Sequence, residues 1–248
     1  MTTLLLDADI LAYRACLAHQ SLSEPKPGCF RLYSNGNKAC KDVDEQVEAL
    51  VCRLKADKVI MALSDSKNFR KKVLPSYKSN RMKTQRPLAL KFVMQYIKDN
   101  YEHLQIPELE GDDVLGILST SDIIPGKKII VSIDKDFHTI PGLFYNQDKD
   151  ELKEITEDEA DYYHMYQTLI GDTCDGYSGL PGAGPVAAKR VLSGAEDRFR
   201  AVREAYTRAG LSEEFALAQA RCARILRAED YCLKTNKVKL WEPKNAEG

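Results

Sequence analysis

The chain has 248 residues, of which 44% are hydrophobic and 29% charged. That suits one large globular domain, or a core domain with an appendage, and excludes disordered and fibrous classes. The formal net charge of −1 lacks the basic excess of many nucleic-acid-binding domains, although an acidic site can cancel a basic face in the sum. Seven cysteines without a C-x-x-C pair argue against a zinc site or disulfide framework and for a reducing, cytoplasmic setting. No apolar run approaches membrane-spanning length.

The opening "MTTLLLDADI" has no basic residue before its apolar run, which stops at Asp7. It reads as a buried strand, Leu4–Leu6, rather than a signal peptide. A helix carrying Leu11 and Ala15 follows. "DKVIMALSD" repeats the form, with an apolar run over Val59–Leu63 ending near Asp65. "KKIIVSIDKDF" repeats it again, with Ile129–Val131 followed by Ser132, Asp134 and Asp136. Continuous apolar strands alternating with helical segments predict a parallel α/β sheet. Ligand sites in such sheets lie beyond the carboxyl ends of the strands, where these acids fall.

From Ser66 to Lys98 there is no Asp or Glu, but there are Lys67, Arg70, Lys71, Lys72, Lys78, Arg81, Lys83, Arg86, Lys91 and Lys98. A charge run is usually a solvated helix face. This one has no local counter-charges for i,i+4 pairing, and Phe69 and Tyr77 are interleaved, which suits phosphate binding with stacking. It reads as a nucleic-acid funnel. The sign then reverses at "ELEGDDVLG", where Glu110, Asp112 and Asp113 precede an apolar helical pattern.

"TEDEADYYHMYQTLIG" opens with Thr156 and Glu159 in a capping-box spacing and predicts a helix ending at Gly171. "GLPGAGPVAAKRVL" places Gly179, Gly182 and Gly184 before a helix starting at Pro185, with Lys189 and Arg190 one turn on. Glycines let a backbone approach closely, and a helix N-terminus offers N–H groups to phosphate. An ordinary glycine-rich turn between helices is the competing reading. Ser212 predicts the N-cap of a further long helix, and "KVKLWEP" an extended tail.

Nine acids form local sets: Asp7; Asp65; Glu110, Asp112 and Asp113; Asp134 and Asp136; Asp172 and Asp175. Each alone could be turn or cap chemistry. Together they make an oxygen-rich set suited to Mg²⁺ or Mn²⁺, and two such ions roughly 3.5–4 Å apart can hydrolyse phosphodiesters. Asp113 is expected to bridge the two metal positions.

"LLLDADILAYRA", "DSKNFRKKVLPSYKSNR", "LEGDDVLG", "SIDKDFHTIPG" and "GDTCDGYSGLPGAGPVAAKRVL" occur in an order that resembles the flap endonuclease/5′→3′ exonuclease superfamily. "GDTCDGYSG" and "ARILRAEDYCLKTNKVKLWEP" are similar to its T7-like bacteriophage group. The resemblance implies a PIN-like α/β nuclease core over 1–155, including a short helical arch within 66–98. It implies a helical DNA-binding module with a helix–three-turn–helix over 156–248. It implies 5′→3′ exonuclease and flap cleavage of duplex DNA and of RNA in RNA–DNA hybrids, by a monomer with two Mg²⁺ or Mn²⁺. By motif position, Asp7, Asp65, Glu110, Asp112 and Asp113 would serve one metal, and Asp134, Asp136, Asp172 and Asp175 the other. Lys78 and Arg81 would contact the scissile phosphate, and Arg14 matches a family arginine. Arg70, Lys71, Tyr77, Lys83, Arg86, Gly179, Gly182, Gly184, Lys189 and Arg190 would bind DNA, with K⁺ at the glycine turn. Ala8, where many members have Gly, Gly111, where many have Ala, and Pro185 depart from the pattern. A non-catalytic DNA-junction binder and a PIN-type ribonuclease are the rival functions.

Overall fold

The computed structural model describes residues 1–80 and 85–243. A six-stranded sheet forms its centre, in the order β5-β4-β1-β6-β7-β8. The strands are β1 (Thr2–Asp7), β4 (Lys58–Leu63), β5 (His103–Gln105), β6 (Lys127–Ser132), β7 (Gly142–Asn146) and β8 (Glu151–Ile155). All neighbours pair in parallel except β7 and β8, which form an antiparallel edge. The three apolar runs are thus adjacent parallel strands at the centre of the sheet.

Both faces of these strands are covered, which explains why their sequences are continuously apolar rather than alternating. Leu4, Leu6, Met61, Leu63, Ile129 and Val131 enter one apolar layer. That layer is built with α1 (Ala8–Ala18), α2 (Gly36–Leu54) and α4 (Leu90–Asn100). Leu5, Ile60, Ala62 and Ile130 enter the opposite layer with α5 (Gly111–Thr120). The period of two residues along each strand divides its side chains between the layers.

The basic segment is not uniform. It contains the short helix α3 (Arg70–Val73), and its second half is α4, whose Val93 and Ile97 are buried in the first layer. Lys91 and Lys98 therefore lie on a helix packed into the core rather than in an open arch. The hairpin of β2 (Gln20–Lys26) and β3 (Cys29–Ser34) has little sequence signal beyond its turn, where Gly28 takes φ +76°.

After β8 the chain forms α6 (Glu157–Ile170), α7 (Pro185–Leu192), α8 (Arg198–Arg208) and α9 (Glu213–Ala223) around a separate apolar cluster. Thr156 and Glu159 make the expected capping box, Gly171 closes α6, Pro185 opens α7 and Ser212 caps α9. Beyond α9, Ile225, Leu226 and Tyr231 return to the sheet and pack in the layer with α5. Tyr231 begins a small hairpin, β9 (Tyr231–Cys232) with β10 (Lys237–Val238). Among the described residues, no helix is long and apolar enough to cross a membrane, and all seven cysteines are free thiols.

Candidate active site

Acids collect beyond the carboxyl ends of β1, β4 and β6. Asp7 is both the last residue of β1 and the N-cap of α1, accepting the Ile10 N–H at 3.1 Å. The Ser132 hydroxyl, at the end of β6, donates to its other oxygen at 3.0 Å. Burial, then repulsion from Asp9 and Asp134, push the Asp7 carboxyl up to about 7. Asp112, in the first turn of α5, is held well above the usual carboxylate range by burial and by Asp7 and Glu110.

Glu110, the N-cap of α5, behaves oppositely. Burial pushes its carboxyl up, but Lys78 and Arg70 pull it down to about 2. The Lys78 ammonium contacts Glu110 and lies 3.4 Å from Asp175. Lys78 occupies the left-handed region at φ +52°, a conformation that costs energy in a residue with a side chain. Contacts to the 172–178 loop hold it there. Its N–H donates to the Asp175 carbonyl at 2.7 Å, and Asn80 donates to the Thr173 carbonyl at 2.8 Å.

The second acidic group follows β6. Asp134 caps a 3₁₀ turn (Lys135–Thr139) by accepting the Asp136 N–H at 2.9 Å. Burial and Asp134 push Asp136 up to about 7, with Lys135 opposing and Asp172 and Asp175 adding to the rise. The Gln167 amide donates to Asp136 from α6. Asp172 accepts the N–H groups of Cys174 and Asp175 at 2.7 and 3.2 Å, folding its loop toward Asp136. The two groups meet through Asp134, which raises both Asp7 and Asp136, and through Lys78. Among the described residues no three His, Cys, Asp or Glu side chains form a ready metal cage.

Several expected site residues are engaged in contacts within the fold. Asp113 is not a bridge between metals. It is fully buried and forms a bidentate pair with Arg70, both contacts at 2.7 Å. Arg70 is 2% exposed and therefore offers nothing to DNA. Tyr77 is 2% exposed and cannot stack on a base; its hydroxyl instead lies 2.9 Å from Glu110 and 3.1 Å from Asp175. Asp65 braces a turn, accepting the N–H groups of Glu108 at 2.8 Å and Ser66 at 2.7 Å, which lowers its carboxyl. Gly179 is buried against Gly171, where a Cβ would meet the Gly171 nitrogen at 2.4 Å, and donates its N–H to Gln219 at 2.8 Å. It closes the turn after α6, and its N–H is already taken by Gln219. Arg14 pairs with Asp148 at 2.6 Å.

Lys71, Arg86, Gly182, Gly184, Lys189 and Arg190 are exposed. Nothing lies within 4 Å of where a Cβ of Gly182 or Gly184 would be, so the N-terminus of α7 is open. Arg81 and Lys83 lie outside the described residues. Asp9 is the acid that the motifs did not single out. It accepts the Ser64 N–H at 2.9 Å, and burial raises its carboxyl.

The family model of the 5′-3′ exonuclease N-terminal resolvase-like domain matches residues 2–161. An exodeoxyribonuclease of Enterobacteria phage T3 is 28% identical, over 98% of this chain and 93% of its own length. An exonuclease of Escherichia phage T7 is also 28% identical, over 97% and 93%. The T5 D15 protein, co-crystallised with metal ions, shares the fold with a TM-score of 0.67 at 16% identity, over 89% of this chain and 88% of that one. With the matched domain spanning the whole parallel sheet and both acidic groups up to Asp136, the chain belongs to the 5′-3′ exonuclease family.

Proposed function

We propose that this protein is a metal-dependent 5′→3′ nuclease that hydrolyses phosphodiester bonds at 5′ ends and flaps of duplex DNA. One observation carries the reading: two groups of buried and half-buried carboxylates meet at the carboxyl edge of β1, β4 and β6, with Lys78 between Glu110 and Asp175. The phage relatives are named as exonucleases, and a T5 D15 flap endonuclease was crystallised with DNA and metal ions.

The donor set is all oxygen, which suits hard divalent cations such as Mg²⁺ or Mn²⁺. Burial first, then neighbouring carboxylates, push Asp7, Asp112 and Asp136 up, and a divalent cation held there would oppose that rise. Asp7, Glu110, Asp112 and Asp134 would hold one ion, and Asp136, Asp172 and Asp175 a second. When bound, such ions neutralise phosphate charge and acidify water.

The chain's own residues do the rest. Asp134 couples the two acidic groups. Lys78, aimed by Glu110 and Asp175, stabilises charge growing on the phosphoryl oxygens, with Arg81 as its partner by motif. Lys71 and Arg86, both exposed, contact backbone phosphates without reading sequence. The open N-terminus of α7, with Gly182, Gly184, Lys189 and Arg190, holds the duplex as a helix–three-turn–helix module over 156–248, with K⁺ at its turn. RNA–DNA hybrids fit the same backbone contacts, and the protein acts as a monomer.

The test is cleavage of a 5′-labelled duplex with Mg²⁺ or Mn²⁺. The expected products are 5′-phosphorylated nucleotides or short oligomers, and Asp112→Asn abolishes them. Cleavage in EDTA, or unchanged cleavage by the variant, overturns the reading.

A further inference from the structure

Asp9 sits in the first turn of α1, but that helix is capped by Asp7, so Asp9 does no capping there. Its side chain reaches across to two other elements. Ser64, just past β4, holds its carboxylate through both the backbone N–H, at 2.9 Å, and the hydroxyl. The Ser64 oxygen in turn accepts the N–H of Gly111, the first residue of α5, at 2.8 Å. A chain of hydrogen bonds thus runs from α5 through β4 to α1.

The packing at this junction leaves no room. A Cβ on Gly111 would lie 3.2 Å from the Asp9 carboxylate and 3.3 Å from the Ala62 carbonyl, both tight for a carbon atom. Gly111 therefore lets α5 approach the sheet, and Asp9 fills the space that an alanine methyl would take. Glu110 and Asp112 flank Gly111 directly in sequence, so whatever fixes Gly111 also fixes the roots of both acids.

We propose that Asp9 is a positioning residue: with Ser64 it clamps the N-terminus of α5 and so sets Glu110 and Asp112 against Asp7. The catalytic consequence rests on the nuclease reading; the clamp itself does not. In Asp9→Ala, amide exchange at Ser64 and Gly111 should quicken by about tenfold or more. Mn²⁺ affinity, titrated without DNA, should fall about 10- to 100-fold, the usual cost of losing a group that orients metal ligands. kcat should fall while KM for DNA moves less than about twofold. Asp9→Asn keeps an acceptor for the Ser64 N–H and should preserve most of the protection and affinity.

Unchanged exchange at Gly111 in Asp9→Ala overturns the clamp. So does an Asp9→Asn variant as defective in Mn²⁺ binding as Asp9→Ala, because the charge would then be the acting feature. Exchange that quickens equally around Val202, in the separate helical cluster, marks global loosening and overturns it too. If the wild-type chain binds no Mn²⁺ and cuts no DNA, the nuclease reading falls, and exchange at Gly111 still decides the clamp.

Discussion

Replacing Asp113 by Asn should unfold the protein at a much lower temperature rather than disable an intact site. The Asp113 carboxylate and the Arg70 guanidinium face each other through two contacts of 2.7 Å, with 0% and 2% of their side chains exposed. Asp113 also accepts the N–H groups of Leu226 at 3.1 Å and Glu110 at 3.2 Å. Arg70 donates to the carbonyls of Cys222 and Arg224, and its guanidinium lies 4.7 Å from the centroid of the Phe69 ring. One pair thus joins α3, α5 and the segment after α9. An asparagine of the same shape turns an NH₂ group toward Arg70 and leaves a buried positive charge with too few acceptors.

Removing one partner of a buried pair costs about 3–5 kcal/mol, a large share of a total stability of roughly 5–15 kcal/mol. For a chain of this size each kcal/mol shifts the midpoint by about 2–4 °C, so the midpoint should drop by roughly 6–20 °C. Thermal and urea melts followed by circular dichroism measure it. Replacing both residues by leucine should cost less than the sum of the single losses, because no unpaired charge remains. If Asp113→Asn melts within about 2 °C of wild type while Mn²⁺-dependent cleavage disappears, the carboxylate works at the reaction centre and the burial argument is wrong.

Lys78→Met removes the strongest attraction that holds Glu110 down to about 2, so that carboxyl should rise, and single-turnover cleavage should slow about 10²- to 10³-fold; a wild-type rate would remove Lys78 from the mechanism. His164 gives a pH dependence unconnected with the acids. Burial first, then Arg224 and Arg227, hold its pKa well below the usual 6.5, and its Nε2 lies 2.8 Å from the Ala220 carbonyl. Below pH 6.5 the unfolded chain takes up a proton that the folded chain refuses. This contribution is therefore complete above 6.5 and is lost as pH falls beneath it, by up to about 1.4 kcal/mol per pH unit. Asp7 and Asp136, both raised to about 7, act in the opposite sense, so the readout is the difference between wild type and His164→Gln in urea melts across pH 5.0–7.5. Parallel pH profiles for the two proteins would refute the assignment.

The central strands, the capping box at Thr156, the glycine that closes α6 and the proline that opens α7 were legible because each depends on neighbours in sequence. Continuous apolar runs ending in Asp predicted strands whose carboxyl ends converge, and the sheet order places them side by side. The division of labour within "ELEGDDVLG" was not legible. Adjacent residues on a helix point about 100° apart, so one of Asp112 and Asp113 had to turn away from the other acids. Which one depends on Arg70, 43 residues earlier. Asp9 escaped notice for the same reason, since its partner Ser64 lies 55 residues further on. Gly179 was misread because a glycine that admits a phosphate and one that admits another backbone look alike in sequence; here the other backbone is that of Gly171.

The basic segment makes the same point about charge. Its lack of internal acids was real, but reading it as a nucleic-acid funnel overlooked counter-charges distant in sequence. Arg70 pairs with Asp113, Lys72 with Glu108 and Lys78 with Glu110. A stretch of cations without acids, followed by a stretch of acids without cations, is therefore also a folding instruction. The two segments neutralise each other when α3 closes over the N-terminus of α5. At Lys78 the two uses coincide: the same ammonium that completes this closure is the one left at the edge of both acidic groups, where a phosphate can compete for it. Arg70 and Tyr77 are buried, so the ligand-facing part of the segment is narrower than its composition suggests.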